Sequence, residues 1–215
     1  RGKPWVESAR ALEDLHIGAL LLDPGSRKLF AGCHHDGGLW VSDNGGEGDW
    51  RKLENGIKRS HIYSLASRIE NGRATIFAGT APAALYSSDD LGESWSEVSA
   101  LRDVPGSEDW TFIPPPHHPH VKSVVLHPTD PNTYFVLIEQ GALLKTTDDG
   151  ESFREIDAYA APEDRQWKEV HRLLIHPTDP DLMYLATGEG LYRTRDGGTT
   201  FDNVHHRGLR MGYPE

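Results

Sequence analysis

A unit of roughly fifty residues recurs four times along this chain of 215 residues. Segment 126–148 matches segment 175–196 turn for turn with one deletion, and segments 22–43 and 68–90 follow the same plan more loosely. A repeat of this length is typical of folds in which each copy is one supersecondary unit that packs on the next. The size of the repeat suits a four-stranded antiparallel unit.

Each copy ends on the same short signature, a Ser or Thr, an Asp, a Gly, a second Ser or Thr, and an aromatic residue. The first copy is degenerate, with two extra residues between its Asp and Trp50. Asp and Gly support a tight turn, because Gly takes positive φ and the carboxylate accepts backbone N–H bonds. The signature therefore predicts a structural turn at the four aspartates Asp43, Asp90, Asp148 and Asp196.

The pattern S/T-x-D-x-G-x-S/T-W/F resembles the Asp-box repeats of sialidases and related BNR propellers, over roughly residues 16–204. Stretches 78–86, 110–121 and 139–144 look like uncharacterised bacterial and archaeal propellers labelled glycosyl hydrolase BNR repeat or WD40/YVTN/BNR-like. The resemblance implies an all-β propeller with a sialidase-like fold, in which the Asp box is remote from any active site. Because fold does not imply function, the label carries no activity with it.

The predicted fold is all-β, a β-propeller with four recognisable four-stranded blades, which form either a closed four-blade ring or part of a larger propeller. The predicted layout of the chain is an N-terminal segment at 1–15, blades at 16–56, 57–101, 102–157 and 158–204, and a linker toward a further blade at 205–215. An open set of blades leaves unpaired strand edges, so we expect a homo-oligomer if the chain is a whole protein.

Composition excludes several classes of partner. The formal net charge of −11 argues against nucleic acid and anionic membranes, because both are bound through Lys and Arg. No apolar run approaches the ~18 residues that span a bilayer. The lone Cys33 rules out an internal disulfide but identifies no compartment, and we lean toward the cytoplasm.

Ten of the twelve histidines are predicted at one end of the blades. The starts of the innermost strands, the turns between second and third strands, and the linkers between blades share that end. The innermost strands open at His16, His61, His120 and Glu169, and His171 points to the same side as Glu169 because the strand period is two. We expect these five side chains to form a ligand site at the mouth of the central channel.

The remaining histidines divide between the two ends. His34 and His35 lie in the predicted turn from Cys33 to Asp36, which is either a local ligand cluster or a polar turn. The linkers carry His117, His118, His205 and His206, and only His127 and His176 fall at the Asp-box end.

A transition-metal site is one hypothesis for the channel mouth, with His16, His61, His120 and His171 as ligands. Neutral imidazole suits Zn, Cu, Fe and Ni. The alternative is that these side chains hydrogen-bond to neighbouring strands and water, because scattered histidines lack the close spacing of a recognisable metal motif.

A glycoside hydrolase is a second hypothesis, since four carboxylates are predicted at the histidine-rich end: Asp36, Glu139, Glu169 and Glu189. Such an enzyme needs two carboxylates facing each other across a cleft. The sequence shows no Phe/Tyr-Arg-Ile-Pro motif, no arginine triad and no identifiable Tyr–Glu pair of the sialidase type.

A non-catalytic module that binds a protein or carbohydrate is the interpretation that asks for the fewest unobserved residues. A rigid acidic disc suits protein partners, whereas exposed tryptophans would favour sugars. Trp5, Trp110 and Trp167 are the candidates in linkers, and Trp40, Trp50 and Trp95 are expected to pack within blades.

Overall fold

The chain folds into four antiparallel sheets of four strands each, as seen in a computed structural model that describes residues 10–160 and 168–204. In every sheet the strands are hydrogen-bonded in sequence order, which makes each sheet a meander. The all-β fold class predicted from the repeats is confirmed. We call the sheets blades 1 to 4. Their boundaries in the linkers stay predictions.

The strands of blades 1 and 2 are β1 (Ile17–Leu22), β2 (Leu29–Cys33), β3 (Gly38–Ser42), β4 (Arg51–Leu53), β5 (His61–Glu70), β6 (Arg73–Ala81), β7 (Leu85–Ser88) and β8 (Ser96–Glu97). Those of blades 3 and 4 are β9 (Val121–Leu126), β10 (Tyr134–Ile138), β11 (Ala142–Thr146), β12 (Arg154–Ile156), β13 (Val170–His176), β14 (Asp179–Thr187), β15 (Gly190–Thr194) and β16 (Asp202–Asn203). Two short 3₁₀ helices, Ser99–Asp103 and Ser107–Asp109, lie between blades 2 and 3.

Some predicted features lie outside the described residues, namely most of the N-terminal segment, Trp5, Trp167 and the linker at 205–215. Between residues 10 and 160 and between 168 and 204, no helix has the length and apolarity needed to cross a membrane.

The core consists of three apolar clusters, each formed between two successive blades. Phe30 and Ile76 belong to the cluster between blades 1 and 2, and Phe77 and Val136 to the one between blades 2 and 3. Phe135 and Leu185 belong to the third cluster, between blades 3 and 4. The middle strand β10 is buried at all five positions because it has a blade on either side. Burial between blades, rather than within one sheet, therefore holds the fold together.

The two terminal blades each keep one apolar face in solvent. Leu20 is 65% exposed and Leu22 58% exposed on β1, and Leu174 is 54% exposed on β13. Close packing of inner strands runs from β1 to β5, to β9 and to β13, and in the described part of the chain it does not continue from β13 to β1. Over residues 10–160 and 168–204, therefore, the inner strands of the four blades do not close into a ring by such packing. The homo-oligomer expected for an open arc stays a prediction.

The signature turns share one hydrogen-bond pattern. Asp148 accepts bonds from the Thr146 hydroxyl at 2.7 Å, the Ser152 amide at 3.0 Å and the Ser152 hydroxyl at 2.5 Å, while Thr146 accepts the Gly150 amide at 2.9 Å. The same four bonds recur around Asp90 and Asp196. The side-chain donors Ser152 and Thr200 head the hydrogen bonds that lower the pKa of Asp148 and Asp196 to about 2.

In blade 1 the acceptor of this turn is Asn44 and not Asp43. The Asn44 amide oxygen accepts the Ser42 hydroxyl at 2.8 Å, and Ser42 accepts the Gly46 amide at 3.1 Å. Asp43 forms an ion pair with Lys28 at 3.3 Å instead. The predicted role of Asp43 is therefore corrected, and the turn carries one extra residue before Trp50 rather than two. Matching the four signatures by their aspartates misses this. In blade 1 the residue two positions after the serine is an asparagine, Asn44, and the aspartate comes one position earlier.

Every innermost strand carries a β-bulge near its start, one residue after the first in β1, β9 and β13 and two residues after it in β5. The pairing skips from Ile17 to Ala19 in β1 and from Ile62 to Ser64 in β5, and equivalent skips occur in β9 and β13. The four residues left out of the ladders are Gly18, Tyr63, Lys122 and His171. A bulge redirects a side chain and is frequent beside functional sites.

Candidate functional site

The bulged residues and the turns between second and third strands meet at one end of the blades and form a polar row across all four. The row has two halves joined by Tyr63 and His120. Histidines from blades 1 and 2 make up the first half, and a network of charged groups from blades 3 and 4 makes up the second.

The first half contains four imidazoles from three positions in the chain. His16 precedes β1, His34 and His35 lie in the turn between β2 and β3, and His61 opens β5. Ring centroids are 5.0 Å apart for His16 and His34, 5.4 Å for His16 and His35, and 5.0 Å for His34 and His61. The His34 backbone amide donates to the His16 carbonyl at 2.8 Å, which ties the turn to the start of β1.

Gly18 creates the space that His34 occupies. A Cβ atom at position 18 would overlap the His34 ring. The bulge in blade 1 therefore carries no side chain, and the imidazole from the adjoining turn takes that place in the row.

Crowding lowers the pKa of two imidazoles in this half of the row, His34 and His61. Burial, followed by the neighbouring imidazoles of His61, His16 and His35, lowers the pKa of His34 to about 4. Burial and then His35 also lower the pKa of His61, against the opposing effect of Asp36. Near neutral pH, His34 therefore offers a neutral ring nitrogen with a free lone pair.

Two aromatic contacts join the halves. Tyr63 stacks on His34 at 4.6 Å and on His120 at 3.8 Å between centroids, and Phe112 meets the edge of His120 at 4.6 Å. Burial, followed by the charge of Glu139, raises the pKa of Tyr63. The phenol therefore stays protonated near neutral pH.

Glu139 is the centre of the second half and is only 9% exposed. Its Oε2 contacts His120 Nε2 at 2.7 Å, its Oε1 accepts a bond from the Lys122 ammonium, and its Oε1 lies 3.3 Å from His171 Nδ1. Burial would raise the pKa of this carboxyl, but the bonds from His120 and Lys122 outweigh it and lower the pKa to about 2. Glu139 is therefore an ionised acceptor near neutral pH, held by groups from two blades.

Glu169 completes this half from the start of blade 4. Its carboxylate lies 3.8 Å from His171 Nε2. Glu139, Glu169 and His171 each have one ligand atom within 4.8 Å of the other two. In the part of the chain that the structure describes, this is the group that could hold a metal ion. The Lys122 ammonium already supplies a positive charge there, because it contacts Glu139 and lies 3.4 Å from His171 Nδ1.

A groove of about 620 Å³ runs from this second half along the inner strands of blades 2, 3 and 4. Lys122 and His171 line it at the polar end, and Val124, Leu173 and Pro177 line it farther along. The groove therefore joins a charged mouth to an apolar wall.

The five residues predicted for the ligand site lie along this row rather than around one point. His16 and His61 belong to the first half, His120 to the junction, and Glu169 and His171 to the second half. The metal set of His16, His61, His120 and His171 does not appear among residues 10–160 and 168–204 as a group with ligand atoms within 4.8 Å. These histidines are in different halves of the row.

Sequence reasoning missed Tyr63 and Lys122. Both follow a strand-opening histidine by two residues, as His171 follows Glu169, so the two-residue period that located His171 would have located them too. Phe112, in the linker before blade 3, had no comparable signal.

The four carboxylates considered for hydrolysis are placed differently. Asp36 accepts a bond from the Ser60 hydroxyl at 2.7 Å, and Glu189 is exposed beside β15. Only Glu139 and Glu169 approach each other. A glycosidase acid needs a raised pKa, whereas that of Glu139 is lowered to about 2.

Three solved structures with the same fold are longer than this chain. An ancestral GH74 enzyme has a TM-score of 0.67 at 15% identity, over 89% of this chain and 24% of that one. The GH74 xyloglucanase from Xanthomonas campestris has a TM-score of 0.61 at 17% identity, over 85% and 28%. YCF48 from Cyanidioschyzon merolae has a TM-score of 0.52 at 12% identity, over 83% and 50%.

These likenesses show the fold alone. The chain spans about a quarter of the length of the GH74 structures that it resembles. A search of curated proteins gave no match. The model of one family, described as Sortilin-Vps10 (sortilin, neurotensin receptor 3), matches residues 106–213, which is half of the chain and includes blades 3 and 4. This β-propeller chain therefore belongs to the Sortilin-Vps10 family.

Proposed function

We propose that the chain is a non-catalytic binding module that takes a polar ligand, a sugar chain or a peptide segment, at the histidine-rich end of its blades. The observation that carries this proposal is the repeated bulge. In all four blades the same position of the innermost strand leaves the ladder, and three of the four residues there are polar: Tyr63, Lys122 and His171.

The chemistry of the row suits recognition better than turnover. Lys122 and the imidazoles offer donors, Glu139 offers an ionised acceptor, and the groove beside them gives apolar contact. A few polar groups beside an apolar wall are typical of ligand sites. Glu139 is already engaged by His120 and Lys122, so it holds no proton for a leaving group.

A glycoside hydrolase remains the second candidate, favoured by the closeness of Glu139 and Glu169 and by the fold shared with a xyloglucanase. In that alternative Glu169 would have to act as the acid, with Glu139 as the partner that is ionised near neutral pH. The BNR/Asp-box assignment belongs to this proposal as well, on the support of the three signature turns with identical bonding.

Histidine ring signals in NMR spectra of the full chain test the proposal. Two probes are added in turn, a mixture of xyloglucan oligosaccharides and a mixture of short random-sequence peptides. We expect one of them to shift the His171 and His120 signals and to leave those of His127 and His176, at the opposite end, in place.

The test variant is Lys122→Met, which should weaken ligand binding roughly tenfold or more if the ligand loses one charged hydrogen bond from the ammonium. The matched control is Lys58→Met, which changes an exposed lysine outside the row and should have no effect. The proposal fails if neither probe moves a signal of the row. Release of reducing ends from the oligosaccharides would instead support the hydrolase.

A further inference from the structure

We propose that His16, His34, His35 and His61 form a binding site for one divalent transition-metal ion, with Zn²⁺ as the ion to test. This four-histidine cluster joins blade 1 to blade 2. The inference goes beyond the proposed function and does not depend on it, because the second half of the row is not involved.

The spacing of the rings suits a shared ion. Two imidazoles bound to one tetrahedral ion through nitrogens ~2.1 Å from it place their ring centroids about 5 Å apart. In the four-histidine cluster five of the six centroid separations lie between 5.0 and 6.2 Å. The ring centroids therefore have the separations of a metal shell, whereas no three of the four rings have ligand nitrogens within 4.8 Å of one another in this arrangement.

Ligand convergence requires two of the rings to turn. His16 and His35 stack nearly parallel, at 15° between planes, so their nitrogens do not yet face one centre. Both side chains are exposed and turn about their χ angles at little cost. His34 and His61 are half-buried and provide the fixed part of the site.

One ring nitrogen in the half-buried pair His34 and His61 has no hydrogen-bond partner. The Nε2 atom of His61 is buried and has no hydrogen-bond partner. A buried polar atom without a partner costs stability and calls for an explanation such as an ion. Among the residues that the structure describes, none of the four histidines takes part in an ion pair.

Neighbouring charge also separates the four-histidine cluster from the other candidate group. The group formed by Glu139, Glu169 and His171 has the Lys122 ammonium beside it, which repels an ion.

The turn that presents two of the ligands is under backbone strain. His35 has φ of 50° and Asp36 has φ of 65°, both in the left-handed region that non-glycine residues rarely adopt. Residues held in this region cluster at active sites and ligand-binding sites. Asp36 is anchored by the Ser60 hydroxyl and adds a negative charge near His61, which would favour a bound cation.

The test is calorimetric titration of Zn²⁺ into the untagged, metal-stripped full chain near neutral pH. We expect one ion per chain. Because His34 is packed against Tyr63, the informative variants are the exposed ones, His35→Gln and His16→Gln. Loss of one ligand should weaken binding at least roughly tenfold, since even outer partners of metal ligands contribute that much.

His176→Gln is the matched control at the opposite end of the blades, and His171→Gln reports on the competing group. Both should bind Zn²⁺ as the parent does. The inference is overturned if the parent takes up no Zn²⁺, if His35→Gln binds it unchanged, or if His171→Gln weakens binding as much as His35→Gln does. The titration contains Zn²⁺ and no sugar or peptide. A negative result therefore does not bear on the proposed binding of such a ligand.

Discussion

Replacing Glu139 by glutamine should destabilise the chain strongly at neutral pH and much less in acid. The carboxyl is buried, and the bonds from His120 and Lys122 bring its pKa from 4.5 to about 2. A difference of about 2.5 units corresponds to about 3 kcal/mol of stability at 1.36 kcal/mol per unit.

The direction of the pH effect follows because the Glu139 carboxylate of the unfolded chain binds a proton at a higher pH than that of the folded chain. A folded-state pKa below the unfolded one gives stability that is complete above pH 4.5 and is lost as the pH falls toward about 2. At about pH 3 the contribution of Glu139 should therefore have fallen to about half of its value at pH 7.

Urea unfolding of the parent and of Glu139→Gln at both pH values measures this contribution. Glu189→Gln is the matched control, because it removes the same charge from an exposed carboxylate. An equal deficit at both pH values, or a deficit at pH 7 no larger than that of the control, would refute the reasoning that the charged hydrogen bonds hold Glu139.

Three further outcomes follow from the same structure. His34→Gln should lose less stability than the parent between pH 6.5 and 4, by about 1–3 kcal/mol, because a depressed imidazole pKa costs stability as the unfolded state becomes protonated; urea unfolding at both ends of that window measures it. Gly150→Ala should unfold at markedly lower urea than Gly106→Ala, since both glycines have positive φ but only the first would press a Cβ on the Tyr134 hydroxyl. Tyr134→Phe should change stability by less than about 1 kcal/mol, because the buried hydroxyl has no hydrogen-bond partner to lose; thermal unfolding checks this.

The repeat predicted the fold because each signature turn is a local structure. A Ser or Thr, an Asp and a Gly at fixed spacing bond to one another within eight residues, so the turn is readable without long-range information. Four such turns at regular spacing then left few alternatives to successive four-stranded sheets. The failure at Asp43 arose where two acceptors, Asp43 and Asn44, stand side by side.

The site was less accessible to sequence reasoning because it depends on contacts between blades. Strand parity placed His16, His61 and His120 at one end, but no local pattern reveals that Glu139 bridges His120 to His171. Such pairing depends on how far one blade is rotated against the next. The sequence does not distinguish an open arc from a closed ring for the same reason, since closure is a property of the whole packing.

The bulges place side chains at the ligand site outside the strand ladders and outside the apolar core. Because Tyr63, Lys122 and His171 make no ladder pair and belong to none of the three core clusters, we expect substitutions there to leave the strand register and the clusters in place. The scaffold thus offers one exchangeable position in each of blades 2, 3 and 4, whereas in blade 1 the His34 ring occupies the space beside Gly18. Divergent copies of such a chain can acquire new ligands by altering these positions alone, and a protein engineer can do the same by randomising them.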